Sequence, residues 1–153
     1  MGVASNLGRA ELEPFVPFDS PVVLVENKTH ELMQHADAAI VTSGTATLET
    51  GWFCTPLIVV YKTSPASFLI GRLLVDVTNI GLVNIVAEKT VVPEFLQNEM
   101  TVENLVGAVH RILTDHAYRK TMKVELSQIR RKLGQAGASA RVAEGIIELG
   151  EAA

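Results

Sequence analysis

Apolar residues fall along this chain in short unbroken runs that alternate with segments of helical spacing. Pro21-Val-Val-Leu-Val-Glu26, Ala38-Ala-Ile-Val-Thr42 and Pro56-Leu-Ile-Val-Val-Tyr-Lys62 are runs rich in β-branched residues, the pattern of strands covered on both faces. Between them, Thr29 to Ala36 opens on an N-cap type with Glu31 in its first turn, and Thr45 to Phe53 keeps helical spacing, so the order predicted is β-α-β-α-β. Strands that are apolar throughout and separated by helices predict a parallel sheet joined by right-handed crossovers. Further along, Ser64-Pro65 predicts a helix start continued by Phe68 to Val75. Val83-Asn-Ile-Val-Ala87 predicts a fourth strand, and Pro93-Glu-Phe-Leu-Gln97 a short helix with proline at its first position. Val102, Leu105, Val106, Val109, Ile112 and Leu113 form one face of a helix capped by Thr101, expected to pack in the core. Ala117 to Leu133 and Ser139 to Leu149 are two more helices, separated by Gly134 and Gly137. Residues 1–20 show neither period and read as an irregular lead-in to a domain over 21–153.

Composition narrows the class. With 153 residues, 48% hydrophobic and 20% charged, the chain has room for one core and ample apolar surface to build it, which excludes disorder. Its net charge of −4, with no Lys/Arg cluster long enough to neutralise a row of phosphates, argues against nucleic acid as a partner. A single cysteine, Cys54, allows no internal disulfide and reads as a packing residue in a reducing, cytoplasmic setting; no leader segment is recognised. Arg72 interrupts the longest apolar stretch, Ser67 to Val75, so a soluble or peripheral protein is expected. Phe68, Leu69, Leu73 and Leu74 are read as buried helix packing, with contact to a membrane or acyl chain as the rival.

Ligands of an open parallel sheet bind beyond the carboxyl ends of its strands, and that rule selects Ser43-Gly-Thr-Ala-Thr-Leu-Glu49. The segment follows a strand and opens a helix. Its small residues allow backbone N–H groups to approach an anion at the positive end of the helix dipole, and Ser43, Thr45 and Thr47 add hydroxyls. Glu49, one turn on, is placed to accept hydrogen bonds from a sugar diol. The bland alternative is a capped helix in which Glu49 complements the dipole. No Gly-x-Gly-x-x-Gly and no Gly-Lys-Ser/Thr loop is present, which removes the nicotinamide and kinase readings. His30 and His35, and His110 and His116, are too widely spaced to share one helical face as metal ligands, and Ser43 lacks the nucleophile-elbow motif of a hydrolase.

Four segments in order, Ala36 to Glu49, Pro56 to Lys62, Gly81 to Ala87 and Val92 to Gln97, resemble the C-terminal half of the lipid-A-disaccharide synthase family over about residues 20 to 150. The Ser-Gly-Thr-x-x-Leu-Glu element together with the downstream Asn and Pro-Glu-x-x-Gln elements carries the resemblance. It implies one Rossmann-like half of a GT-B glycosyltransferase, a hexosyltransferase that moves a diacylated glucosamine from UDP to a lipid monosaccharide phosphate without a metal or other cofactor. By the same resemblance Ser43, Gly44 and Thr45 belong to the donor diphosphate and Glu49 to the ribose, while Asn84, Glu94 and Gln97 belong to the rim of the donor site. The family's acceptor-binding N-terminal domain, with its general base, lies outside this sequence. So does the Gly-Ser-Arg loop of its donor domain, for which Gly8-Arg9 followed by Glu11 is a poor stand-in. Valine at position 83 stands where the family usually has proline. The chain alone is therefore expected to be inactive, to form a homodimer, and to work at the cytoplasmic face of the inner membrane. A non-catalytic UDP-sugar-binding subunit and another UDP-sugar enzyme, such as an epimerase, are the rival readings.

Overall fold

The computed structural model describes residues 1–3, 7–64, 79–134 and 137–151. Three parallel strands, β3 (Ala39–Thr42), β4 (Leu57–Tyr61) and β5 (Glu94–Leu96), form a sheet in the order β3-β4-β5, with Ala39 opposite Leu57 and Tyr61 opposite Leu96. A separate parallel pair joins β1 (Gly2–Val3) to β2 (Val25–Glu26). Helices α2 (Thr29–His35) and α3 (Thr45–Trp52) alternate with the strands as the pattern predicts, and the whole is a Rossmann-like α/β arrangement. After β4 come α4 (Leu82–Ala87), β5 and three consecutive helices: α5 (Val102–Thr114), α6 (His116–Leu133) and α7 (Ala138–Glu151).

The core lies between the central strand, the helices α3 and α5 that contact it, and α6, which packs on α3, α4 and α5. Leu57, Ile58 and Val59 of β4 are fully buried, packed in one cluster with Val83, Val92, Ile112, Met122, Leu126 and Ile129. Gly51 of α3 is a close-approach point: a Cβ there would meet Val83 at 3.1 Å and Leu126 at 3.5 Å.

Two elements downstream of β4 are exchanged relative to the sequence expectation. Val83 to Ala87 is helical in α4 instead of a strand, and Pro93 to Gln97 is the edge strand β5 followed by a 3-10 turn at Gln97–Glu99 instead of a helix. Apolar runs this short do not separate helix from strand by period; here side-chain chemistry decides. Asn84, fully buried, donates from Nδ2 to Val92 O at 2.8 Å and to Glu94 Oε1 at 2.7 Å, and its Oδ1 accepts from the Val91 and Val92 amides at 2.8 and 3.0 Å. Those bonds satisfy every donor and acceptor position of the amide and force residues 84 and 91–94 side by side. Pro93 is tolerated because its carbonyl, not the amide it lacks, joins the ladder by accepting from Val59 N.

Other differences concern exposure. Of the α5 face, Ile112 is buried, but Val102 (72% exposed), Val106 and Leu113 face outward. The strand predicted over 21–26 shrinks to two residues because its partner β1 has only two, and Val22 and Val23 are exposed. The lead-in contains β1, a short helix α1 (Arg9–Leu12) and a 3-10 turn over Glu13–Phe15. Lys28, not Thr29, caps α2, whereas Thr101 caps α5 as read, accepting from Asn104 N at 3.2 Å. Cys54 is half-buried with φ 56°. The helix read from Ser64-Pro65 through Val75 lies, beyond Ser64, outside the described residues.

Asn84→Ala strands the Val91 and Val92 amides and one Glu94 bond in a buried setting, so it is expected to lower unfolding free energy by about 3 kcal/mol. Val102→Ala, on the exposed face of α5, should stay within about 0.5 kcal/mol. Urea denaturation of both variants checks the pair, and an equal loss in the two would contradict this core.

Candidate functional site

Ser43 and Gly44 form the turn between β3 and α3. Ser43 donates its backbone amide to Val60 O at 2.9 Å, continuing the β3–β4 pairing one residue past the strand. Gly44 then takes φ 153° and ψ −168°, a conformation open to glycine and strained for L side chains. Nothing lies within 4 Å of where a Cβ would project, so the backbone at this turn is open to approach. Of the amides that begin α3, that of Thr47 donates to Gly44 O at 3.1 Å, whereas the first two positions of a helix have no carbonyl four residues back within it to receive theirs.

The hydroxyls divide unequally. Ser43 Oγ donates to Ile80 O at 2.8 Å, and fully buried Thr47 donates to Gly44 O at 2.8 Å, so Thr47 holds the turn together and is not a free donor as its sequence position suggested. Thr45 is exposed at the first position of α3, leaving its hydroxyl the one best placed for a ligand.

Beside the turn lies a second loop, held by Glu94. Its Oε2 accepts from Ile80 N at 2.8 Å, and its Oε1 accepts from Gly81 N at 3.0 Å and from Asn84. The fit is tight: a Cβ on Gly81 would sit 3.0 Å from both Glu94 Oε1 and Val59 Cγ2. Gln97, at φ 51°, accepts from Thr63 N at 3.1 Å and so ties the end of β5 to the segment leaving β4. Ser43, Asn84 and Glu94 thus form one hydrogen-bonded series through Ile80 and Gly81, running from the carboxyl end of β3 to the start of β5, while Gln97 follows the carboxyl end of β5.

Glu49 stands apart. Its side chain, 44% exposed, meets His30 Nε2 at 3.2 Å and borders a groove of about 280 Å³ with Leu48, Trp52, Phe53 and Leu133. His30 went unremarked as a partner in the sequence because nothing in the spacing of two residues nineteen apart signals contact between α2 and α3. Asn84 also differs from its expected place at a ligand rim, being buried and fully bonded; it can influence a ligand only through the backbone it holds.

Comparison with known proteins agrees with the family of the resemblance read from the sequence. Residues 16–144 match the model of the lipid-A-disaccharide synthetase family. Among similar curated proteins, the lipid-A-disaccharide synthase of Anaeromyxobacter dehalogenans (strain 2CP-1) is 42% identical over 147 residues, covering 95% of this chain and 38% of that protein. The synthase of Syntrophus aciditrophicus is 50% identical over 126 residues, covering 82% and 33%, and that of Myxococcus xanthus 42% over 127 residues, covering 83% and 33%. The chain therefore spans less than two-fifths of the length of these relatives. By the extent of these matches, the chain belongs to the lipid-A-disaccharide synthetase family.

Proposed function

We propose that this chain is the donor-binding part of a lipid-A-disaccharide synthase, gripping the UDP of a UDP-linked diacylated glucosamine while a domain outside this sequence holds the lipid monosaccharide phosphate and supplies the base. The observation that carries the reading is the Ser43-Gly44-Thr45 turn, an open glycine corner at the carboxyl edge of a parallel sheet and the start of α3. The first amides of α3 and the Thr45 hydroxyl there suit a diphosphate, and their fixed dipoles would stabilise the charge that grows on UDP as the glycosidic bond to it breaks. Glu49 receives the ribose diol by leaving His30. Glu94, Asn84 and Gln97 act as positioning residues that hold the 79–81 loop and the β4 exit around the turn. Among the described residues, no helix is long and apolar enough to cross a membrane, which fits work at the surface of the inner membrane on its cytoplasmic side.

Helix α7 presents Val142, Ile146, Ile147 and Leu149, all more than half exposed, and a second copy of the chain is proposed to cover them. Ile146→Glu with Leu149→Glu should convert a dimer to a monomer in sedimentation; a monomeric unmodified chain at about 10 μM or more would contradict the assembly.

The donor reading is tested by UDP titration monitored with ligand-observed NMR. Thr45→Val and Glu49→Ala should each weaken UDP roughly tenfold to a hundredfold, the loss expected for one partner of a charge-assisted hydrogen bond, with unchanged thermal melts. Unchanged affinity with lowered melting temperature would return both residues to capping roles. The chain by itself should show no transfer from UDP-diacylglucosamine to a lipid acceptor, because the reacting partners are not held together. Turnover by the chain alone would overturn the division of labour, and UDP binding with no activity after addition of an acceptor domain would favour a non-catalytic subunit.

A further inference from the structure

The cations of this acidic protein are gathered on one helix. Six of its thirteen Lys and Arg residues, and only one of its seventeen Asp and Glu residues, lie on α6. At about 100° per residue, His116, Arg119, Lys120, Lys123, Arg130 and Arg131 fall within roughly 120° of the helix circumference, a stripe about 22 Å long. The buried side of the helix, Met122, Leu126 and Ile129, is centred about 110° around from the middle of the stripe, and Glu125, the one acid, is outside the stripe and paired with Lys89.

Two cations of the stripe are engaged and three are not. Arg119 donates to Asp37 at 2.7 Å, and Arg130 stacks over Trp52 at 5.0 Å from the ring centroid. Lys120, Lys123 and Arg131 are exposed, and none has a side-chain partner among the described residues. Lys120 and Lys123 border a shallow groove of about 530 Å³ whose lining includes Cys54 and Val124, and Trp52 and Leu133 line the smaller groove on the α3 side. Unpaired cations in a row, flanked by shallow apolar hollows, match a surface that presents anionic headgroups in a plane with apolar chains beneath.

We propose that the α6 stripe docks the protein on an anionic phospholipid surface through Lys120, Lys123 and Arg131. The proposal rests on the reading that this family member handles membrane lipids, and it assigns the face that would meet them. A lipid surface is preferred to a nucleic acid because the rest of the chain is strongly acidic and would repel a polyanion that follows the protein beyond one helix.

Co-sedimentation of the 153-residue chain with vesicles provides the test. Binding is expected to vesicles of phosphatidylcholine with about one-third phosphatidylglycerol and not to phosphatidylcholine alone, and is expected to vanish near 1 M salt. Replacing three surface charges, Lys120→Gln, Lys123→Gln and Arg131→Gln together, should weaken binding roughly a hundredfold, about fivefold per charge. Lys132→Gln removes the same charge from the far side of α6, where Lys132 meets Val86 O and Glu88, and should change binding less than about fivefold. Circular dichroism checks that the triple variant folds; if it does not, Lys123→Gln alone and the salt and lipid dependence of the unmodified chain decide. Failure to bind anionic vesicles, equal binding to neutral ones, an unchanged triple variant, or an equal loss in Lys132→Gln would each overturn the proposal. Competition by a DNA duplex at equal phosphate concentration would overturn it as well. The vesicles hold no sugar nucleotide, so a negative result removes the docking face and leaves the donor site to be decided separately by the UDP titration of Thr45 and Glu49.

Discussion

A buried amide and a carboxylate organise the second half of the sheet. Asn84 has no exposure, and its two donors and two acceptor positions all meet groups between Val91 and Glu94. Glu94 in turn holds the Ile80 and Gly81 amides, and Ile80 O receives the Ser43 hydroxyl. Because an unmade hydrogen bond in the interior costs about 1 to 3 kcal/mol, the network tolerates few alternatives once formed. It places α4 against β5, seats β5 on β4, and sets the loop at 79–81 beside the Ser43-Gly44 turn. The core cluster gives the domain its bulk stability, but these directional bonds decide which segment is strand and which is helix.

That distinction marks the limit of what the sequence alone could reveal. The parallel pair β3 and β4 with α3 between them was legible because both strands are unbroken, β-branched runs, whereas the strand read over 21–26 is two residues long and pairs with β1 outside this sheet; the Ser-Gly-Thr turn was legible because its small residues fall between a strand and a helix. The exchange of α4 and β5 was not legible. Five apolar residues interrupted by one asparagine fit either element, and the deciding partner of Asn84 lies eight residues away in another segment. Pro93 misled for a related reason: proline suits both the first turn of a helix and the start of an edge strand, and the Val59 amide that settles it comes from β4. Of the candidate site, Ser43 and Gly44 were legible as a turn between a strand and a helix, while the bonds of Glu94 to Ile80 and Gly81, the burial of Asn84 and the pairing of Glu49 with His30 are tertiary facts with no local signature.

Exposure is also unevenly divided, and the division is informative. Helices α5 and α7 keep helical apolar spacing yet leave Val102, Val106, Val142 and Ile146 open, whereas α6, the most highly charged of the three, supplies the buried Met122, Leu126 and Ile129. Periodicity identifies a face that can be buried; only the presence of a neighbour buries it.

The relation between Glu49 and His30 turns on magnitude. Both side chains are substantially exposed, at 44% and 70%, and a pair of that kind is worth between nothing and about 1 kcal/mol because water solvates each member nearly as well as the other does. Two hydrogen bonds from a diol to a carboxylate gain about 1.5 to 3 kcal/mol each when the site excludes water. Beside a diol, the imidazole contact would therefore be the weaker competitor for the carboxylate; it holds the Glu49 side chain toward α2. In the donor-site reading this makes His30 a placeholder. Its removal would free the carboxylate at little cost, and the strength of ribose binding would then depend on how well Leu48, Trp52 and neighbouring residues keep water from the bond.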